Sequence, residues 1–217
     1  ETLFSNQTPN SSRENVVNSL LPIIQKTYIL KNLRAVYSQL CYAIEQQELK
    51  ELGIVSFEEF VLYFSAHTEN STEMKKVYEH LSQNPLLRTR LFSFRKSLAD
   101  GKSIATFLDS HRVRIEWQIK RLYRMRNIAT HLGVEVSGID IASNHLHNYF
   151  DFVVNYMLCK SENGDYVIST AAVVFEAKND NRIHAEMLKE NNPLSSDNYI
   201  SYLFGPDTNL INYQFEY

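Results

Sequence analysis

At 217 residues with 44% hydrophobic side chains, the chain is long enough to bury a core as one domain with an appendage. No stretch reaches the roughly 18 uncharged apolar residues of a membrane span, and no signal peptide or internal repeat is visible. The net charge of −3 argues against general nucleic-acid coating, yet it hides an asymmetry: Arg88 to Arg126 holds 11 Lys/Arg and three acids, leaving 11 basic and 22 acidic residues elsewhere. Positive charge concentrated in this way points to a local anion-binding face.

In chain order, residues 1–13 are polar and read as a linker or frayed entry. A long helical pattern follows from Glu14 to Leu49, with Val17, Leu20, Ile24, Tyr28, Leu33, Val36, Leu40 and Ile44 at three- and four-residue steps. Pro22 marks a kink or a later start. Ser56-Phe-Glu-Glu59 has the form of a capping box opening a second helix. After the polar break His67–Thr72, Glu73–Ser82 reads as a third. Asn84-Pro85 ends it and starts Leu86–Leu98, which Asp100-Gly101 closes.

The next helix runs from Ile104 to His131, with Gly133 as its C-terminal stop. Ile139–Met157 is another, carrying Leu146, Tyr149, Phe150, Val153 and Val154, and Ser161–Asp165 is a turn. Ser169–Glu190 reads as helical, although Val167-Ile168 and Val173–Phe175 also suit strands. Asn191–Tyr217, rich in Asn, Pro and Tyr, reads mostly as loop. The expectation is an all-α chain: a helical domain over 14–159 and a C-terminal extension of helix and loop over 160–217, packed on the same domain.

Cys41 and Cys159 sit in apolar helical stretches and read as small buried hydrophobes of a reducing compartment, hence a cytoplasmic protein. The sequons at Asn6, Asn10 and Asn70 carry no weight there. The chain opens at Glu1 without a methionine, which reads as a piece of a longer protein with a sensor domain or partner protein N-terminal to it.

The densest chemistry lies in Arg121-Leu-Tyr-Arg-Met-Arg126-Asn127-Ile-Ala-Thr-His131. An arginine fork holds a phosphate, and histidine is the side chain that moves protons near neutral pH. At 100° per residue, Ile115, Ile119, Leu122, Arg126 and Ala129 share one stripe, which places Arg126 where an apolar residue is expected. Trp117, Lys120, Arg124, Asn127 and His131 share the opposite side. Arg126 and His131 stand about 140° apart on an ideal helix. They meet at one phosphate only through the length of arginine, the end of the helix, or a second subunit.

That spacing resembles the Arg-(four to six residues)-His motif of the HEPN family of helical ribonucleases. The resemblance covers Glu14 to Cys159 and rests on Arg126, Asn127 as the polar residue after the arginine, His131, and the long amphipathic helix Ile139–Met157 after a short break. The layout is similar to C-terminal HEPN effector domains of larger bacterial defence proteins, such as those of the ApeA type. Many toxin members carry a tyrosine two residues after the histidine; here Gly133 stands at that position, unlike the small antitoxin-paired toxins.

The resemblance implies a HEPN-like helical bundle that pairs as a homodimer, two motifs forming one composite cleft. It also implies endoribonuclease activity without a metal or other cofactor, in antiphage defence. The 2′-OH of RNA would attack the adjacent phosphorus, with His131 moving a proton, Arg126 stabilising the phosphate charge and Asn127 orienting either. Lys120, Arg121 and Arg124 would hold the flanking RNA backbone, and Tyr123 and Trp117 could stack on bases. Two alternatives stand beside this reading. One is a catalytically silent module that binds RNA or a nucleotide through the same cations. The other is a helical dimerisation domain with Arg126 in a buried ion pair and His131 turned away.

Other constellations are weaker. His145-Leu-His147 has the wrong helical spacing for two ligands, and His147 with Asp151 supplies too few. His184-Ala-Glu186 lacks the Pro-Cys-x-x-Cys partner of zinc deaminases and reads as a surface helix. There is no P-loop, Gly-x-Gly-x-x-Gly or Gly-x-Ser-x-Gly.

Overall fold

Caps and breaks written locally in the sequence account for most of the element order. The computed structural model describes residues 12–133, 137–162, 169–190, 194–195 and 197–207. Its elements are α1 (Ser12–Lys26), α2 (Tyr28–Ala43), α3 (Gln46–Glu51), α4 (Phe57–Ala66), α5 (Thr72–His80), a 3-10 turn (Leu81–Gln83), α6 (Pro85–Ser97), α7 (Gly101–Leu132), α8 (Ile139–Glu162), α9 (Thr170–Lys189) and α10 (Tyr199–Phe204). The chain is all-α, with no strand among the described residues. Val173–Phe175 lie inside α9, while Val167-Ile168 and most of the Ser161–Asp165 turn fall outside the described residues. So does the linker expected over 1–13, except that Ser12 and Arg13 already belong to α1.

The Ser56 box forms as expected: the Ser56 hydroxyl accepts from the Glu59 amide at 3.2 Å, and the Glu59 carboxylate accepts from the Ser56 amide at 3.0 Å. Ser71 caps α5 through its hydroxyl alone, which accepts from the Met74 amide at 3.2 Å. Gly133 follows α7 with φ +60°, the left-handed conformation that ends helices.

Five expectations need correction. The long pattern from Glu14 is three helices, and the first break falls at the fully buried Thr27, not at Pro22, which lies inside α1. Asn181 donates to the Pro22 carbonyl at 2.9 Å. Asp100-Gly101 opens α7 instead of closing α6: the Asp100 carboxylate accepts from the Ser103 amide at 2.7 Å, an N-cap bond.

The tail contains α10, whose Tyr199, Tyr202, Leu203 and Phe204 are all buried and give the segment a reason to be helical despite its composition. Cys41 is exposed and Cys159 half-buried, so neither is a fully buried hydrophobe. His184 is buried, and its Nε2 donates to the Tyr202 carbonyl at 2.7 Å. Gly205 packs against this imidazole with φ +68°, and a Cβ there would stand 2.9 Å from His184 Cβ and Cγ, so only glycine fits.

The chain gathers into two compact units, each drawn from separate stretches of sequence. Among the described residues, the first holds the chain from Ser12 to Lys26 together with Asp109–Asn181: α1, most of α7, all of α8 and the first part of α9. Its core includes Val17, Ile23, Ile115, Ile119, Phe152 and Tyr156. Lys26 is a buried cation in that core, ion-paired with Asp180 of α9 and donating to the Tyr156 hydroxyl of α8 at 3.3 Å. Lys160 pairs with Glu176 at 2.7 Å. Both ammonium groups face the Tyr156 ring, 5.7 and 5.9 Å from its centroid.

The second unit holds Thr27–Leu108 and the described residues from Arg182 to Asp207. Its core is aromatic and aliphatic, with Leu30, Leu33, Phe60, Phe64, Leu81 and Tyr199. Arg95, 3% exposed, is the buried charge. No described carboxylate pairs with it; it donates instead to the carbonyls of His67 (2.8 Å) and Leu98 (3.3 Å), the residues that terminate α4 and α6. The negative ends of two helices thus compensate the guanidinium, which also lies 5.8 Å from the ring centroids of Phe64 and Tyr199.

Lys26→Met should destabilise the protein by about 3 kcal/mol, because it leaves the Asp180 carboxylate without its cation. The double variant Lys26→Met/Asp180→Leu should recover most of that loss, since removing both charges removes the desolvation problem as well. Urea unfolding of the two variants measures both effects, and equal losses in the single and double variants would contradict the assignment.

Candidate functional site

The site residues lie on the C-terminal half of α7, a helix of 32 residues and so about 48 Å long. The last carboxylate on this helix is Glu116; Lys120, Arg121, Arg124, Arg126 and His131 follow with no acid among them. Both α7 acids are already engaged. Asp109 pairs with Arg112 at 2.9 Å, and Glu116 takes Arg112 at 3.5 Å on one side and Lys120 on the other. The hydrogen bond from Lys120, with the charges of Lys120 and Arg112, holds the Glu116 carboxyl below its ordinary range against an opposing effect of burial. Lys120 is therefore a compensated cation, a pairing legible in its i,i+4 spacing from Glu116.

Arg121, Arg124 and Arg126 are exposed, and none of them forms an ion pair among the described residues. The buried stripe of the helix explains the freedom of Arg126. Ile115, Ile119 and Met125 are buried and Leu122 is half-buried, so the stripe takes a three-residue step at its end. The expected placement of Arg126 on the apolar stripe is thus corrected: Met125, next to it, fills the core position, and Arg126 faces solvent.

Arg126 Nη1 donates to Asn127 Oδ1 at 3.1 Å. Asn127 in turn shares a helix face with His131, four residues on. His131 is exposed in the last helical turn, just before Gly133. An exposed Arg126 with no acid is the opposite of what a buried structural ion pair requires. Tyr123 is half-buried, whereas Trp117, on the same side as Lys120 and Arg124, is 70% exposed. Arg121 lies beside Gly138, where a Cβ would stand 3.8 Å from its Nη2.

α8 is fastened to α7 by a hydrogen bond from the Tyr149 hydroxyl to the Gln118 side chain, and burial raises the Tyr149 pKa. The outer side of α8 is unexpectedly apolar. Ile139, Leu146 and Phe150 fall on one stripe and are 44%, 54% and 64% exposed. His145 and His147 are exposed on the same helix, and His147 faces Asp151 at 3.7 Å. No group of three or more His, Cys, Asp or Glu suited to a metal occurs among the described residues. No helix there is long and apolar enough to cross a membrane.

No family model, curated protein or solved structure matches this chain. The functional reading therefore rests on the residues themselves.

Because Arg126 and His131 are exposed, Arg126→Ala and His131→Ala should each change stability by no more than about 0.5 kcal/mol. Urea unfolding monitored by circular dichroism checks this, and a loss several times larger would assign them to the core.

Proposed function

We propose that this chain is a HEPN-like, metal-independent endoribonuclease that cuts RNA in a cleft formed by two copies. The observation that carries the reading is the state of Arg126: exposed, without a carboxylate partner among the described residues, and hydrogen-bonded to Asn127, which shares a helix face with His131. A guanidinium held ready and unneutralised binds a phosphate through its planar fork. The His131 imidazole supplies the proton transfer that cleavage of a phosphodiester needs.

In the proposed reaction the ribose 2′-OH attacks the adjacent phosphorus in line and the bond to O5′ breaks. The products are a 2′,3′-cyclic phosphate and a 5′-OH end. His131 as an imidazolium delivers the proton to the departing O5′, and the proton of the 2′-OH passes to water. The C-terminal end of a helix is the end that favours a positive charge, which suits an acid at this position. Arg126 stabilises the extra charge on the phosphoryl oxygens, while Asn127 holds Arg126 in place. Arg121 and Arg124 carry the flanking strand.

The proposed site uses a second copy. On an ideal helix Arg126 and His131 leave the axis about 140° apart, and an arginine from one protomer meets the histidine of its partner without having to span that angle. The outward stripe Ile139, Leu146 and Phe150 on α8 supplies an apolar surface for such pairing. In the setting that the resemblance implies, the domain is the effector of a larger defence protein.

The test is cleavage of labelled single-stranded RNA in EDTA by wild type, Arg126→Ala and His131→Ala. Wild type should cut and leave cyclic-phosphate ends, both variants should lose at least about 100-fold in rate, and an all-deoxy strand should be bound but left intact. Retention of RNA at low salt with no cleavage would instead support the silent binding module. Cleavage that persists in both variants would overturn the site.

A further inference from the structure

The second unit carries an open groove of about 690 Å³ between the C-terminal end of α2 and the start of α6. Tyr42 and Leu86 line it and are 95% and 87% exposed. Large apolar side chains left in water along one groove are a feature of surfaces that are covered in a complex. Gln39 and Asn84 offer amides along the walls, and Arg90 Nη1 bridges the groove to Gln39 Oε1 at 2.8 Å. The lining includes no carboxylate, and α6 itself carries Arg88, Arg90, Arg95 and Lys96 with no acid.

We propose that this groove docks an amphipathic segment of a partner protein, whose apolar side chains cover Tyr42 and Leu86 and whose carboxylate meets Arg90. Charge complementarity selects an acidic segment over a basic one. The mixture of apolar walls and amides selects a polypeptide over a nucleic acid. An RNA strand needs a track of cations, and the groove lining has one. Arg88 stands about 200° around α6 from Arg90 and cannot extend the track. A groove of this volume is in the range that accepts a ligand of several side chains, and an apolar helix face laid into a groove is a recurrent mode of recognition. The site lies in the unit that does not carry Arg126 and His131, and it does not depend on the ribonuclease reading.

The test is selection of a phage-displayed library of random peptides, about sixteen residues long, on the full immobilised chain. The Leu86→Glu/Arg90→Glu chain serves as the counter-selection target. Enriched peptides should combine an acidic residue with apolar residues three or four apart. Their affinity should fall at least about tenfold on Leu86→Glu and on Arg90→Glu. Tyr42→Ala, which leaves every charge in place, should weaken the same peptides. All three side chains are exposed, and circular dichroism confirms that the variants fold. Absence of enrichment over the counter-selection, or peptides that bind all variants equally, would overturn the proposal. So would single-stranded RNA that binds wild type and is lost on Arg90→Glu, which would make the groove a nucleic-acid site.

Discussion

The unit that carries the motif helix depends on one buried cation. Lys26, at the end of α1, reaches Asp180 on α9 and the hydroxyl of Tyr156 on α8, so a single ammonium ties three helices that are far apart in sequence. An ion in that position is tolerated only because its hydrogen bonds are supplied from several directions and a π-face lies beside it. α7 joins the assembly through Gln118 and Tyr149 and through the buried Ile115 and Ile119. The second unit meets the same problem differently, neutralising Arg95 with two helix ends instead of an acid.

Within this frame the charge on α7 sorts itself by position. The acids stop at Glu116, so Arg112 and Lys120, each within four residues of it, are paired, and the arginines beyond form no ion pair among the described residues. Core packing then decides which way the arginines point. Met125 fills the last buried position, and Arg126 turns outward to Asn127 instead of inward to a counter-ion. A cationic helix end with an exposed histidine and no carboxylate partner among the described residues is poorly suited to a structural role, because like charges are gathered there. It is well suited to an anionic ligand.

Local signals were legible from sequence where the physics is local. The Ser56 capping box, the Gly133 stop and the helical character of α7, α8 and α9 each depend on residues within a few positions of one another. Signals that depend on distant contacts were not. Thr27 breaks the first helix while buried, α10 is helical with four of its six side chains buried, and His184 is buried against a carbonyl eighteen residues away. The grouping of separate stretches into two units follows from contacts that no periodicity encodes.

At the site, the basic face was legible from composition. The outward turn of Arg126 was not, since an ideal wheel continues the apolar stripe through it and cannot register the three-residue step to Met125. The compensation of Lys120 by Glu116 was available in the spacing.

The most direct measurement of the central claim, that Arg126 of one copy works with His131 of another, is subunit complementation. Arg126→Ala and His131→Ala chains are mixed, allowed to exchange, and assayed on RNA in EDTA. Half of a statistical mixture is heterodimer, and each heterodimer contains one complete Arg126–His131 pair and one empty pair, so the account predicts recovery of about one quarter of the wild-type rate. Mixed chains that exchange subunits yet remain as inactive as either parent would contradict it.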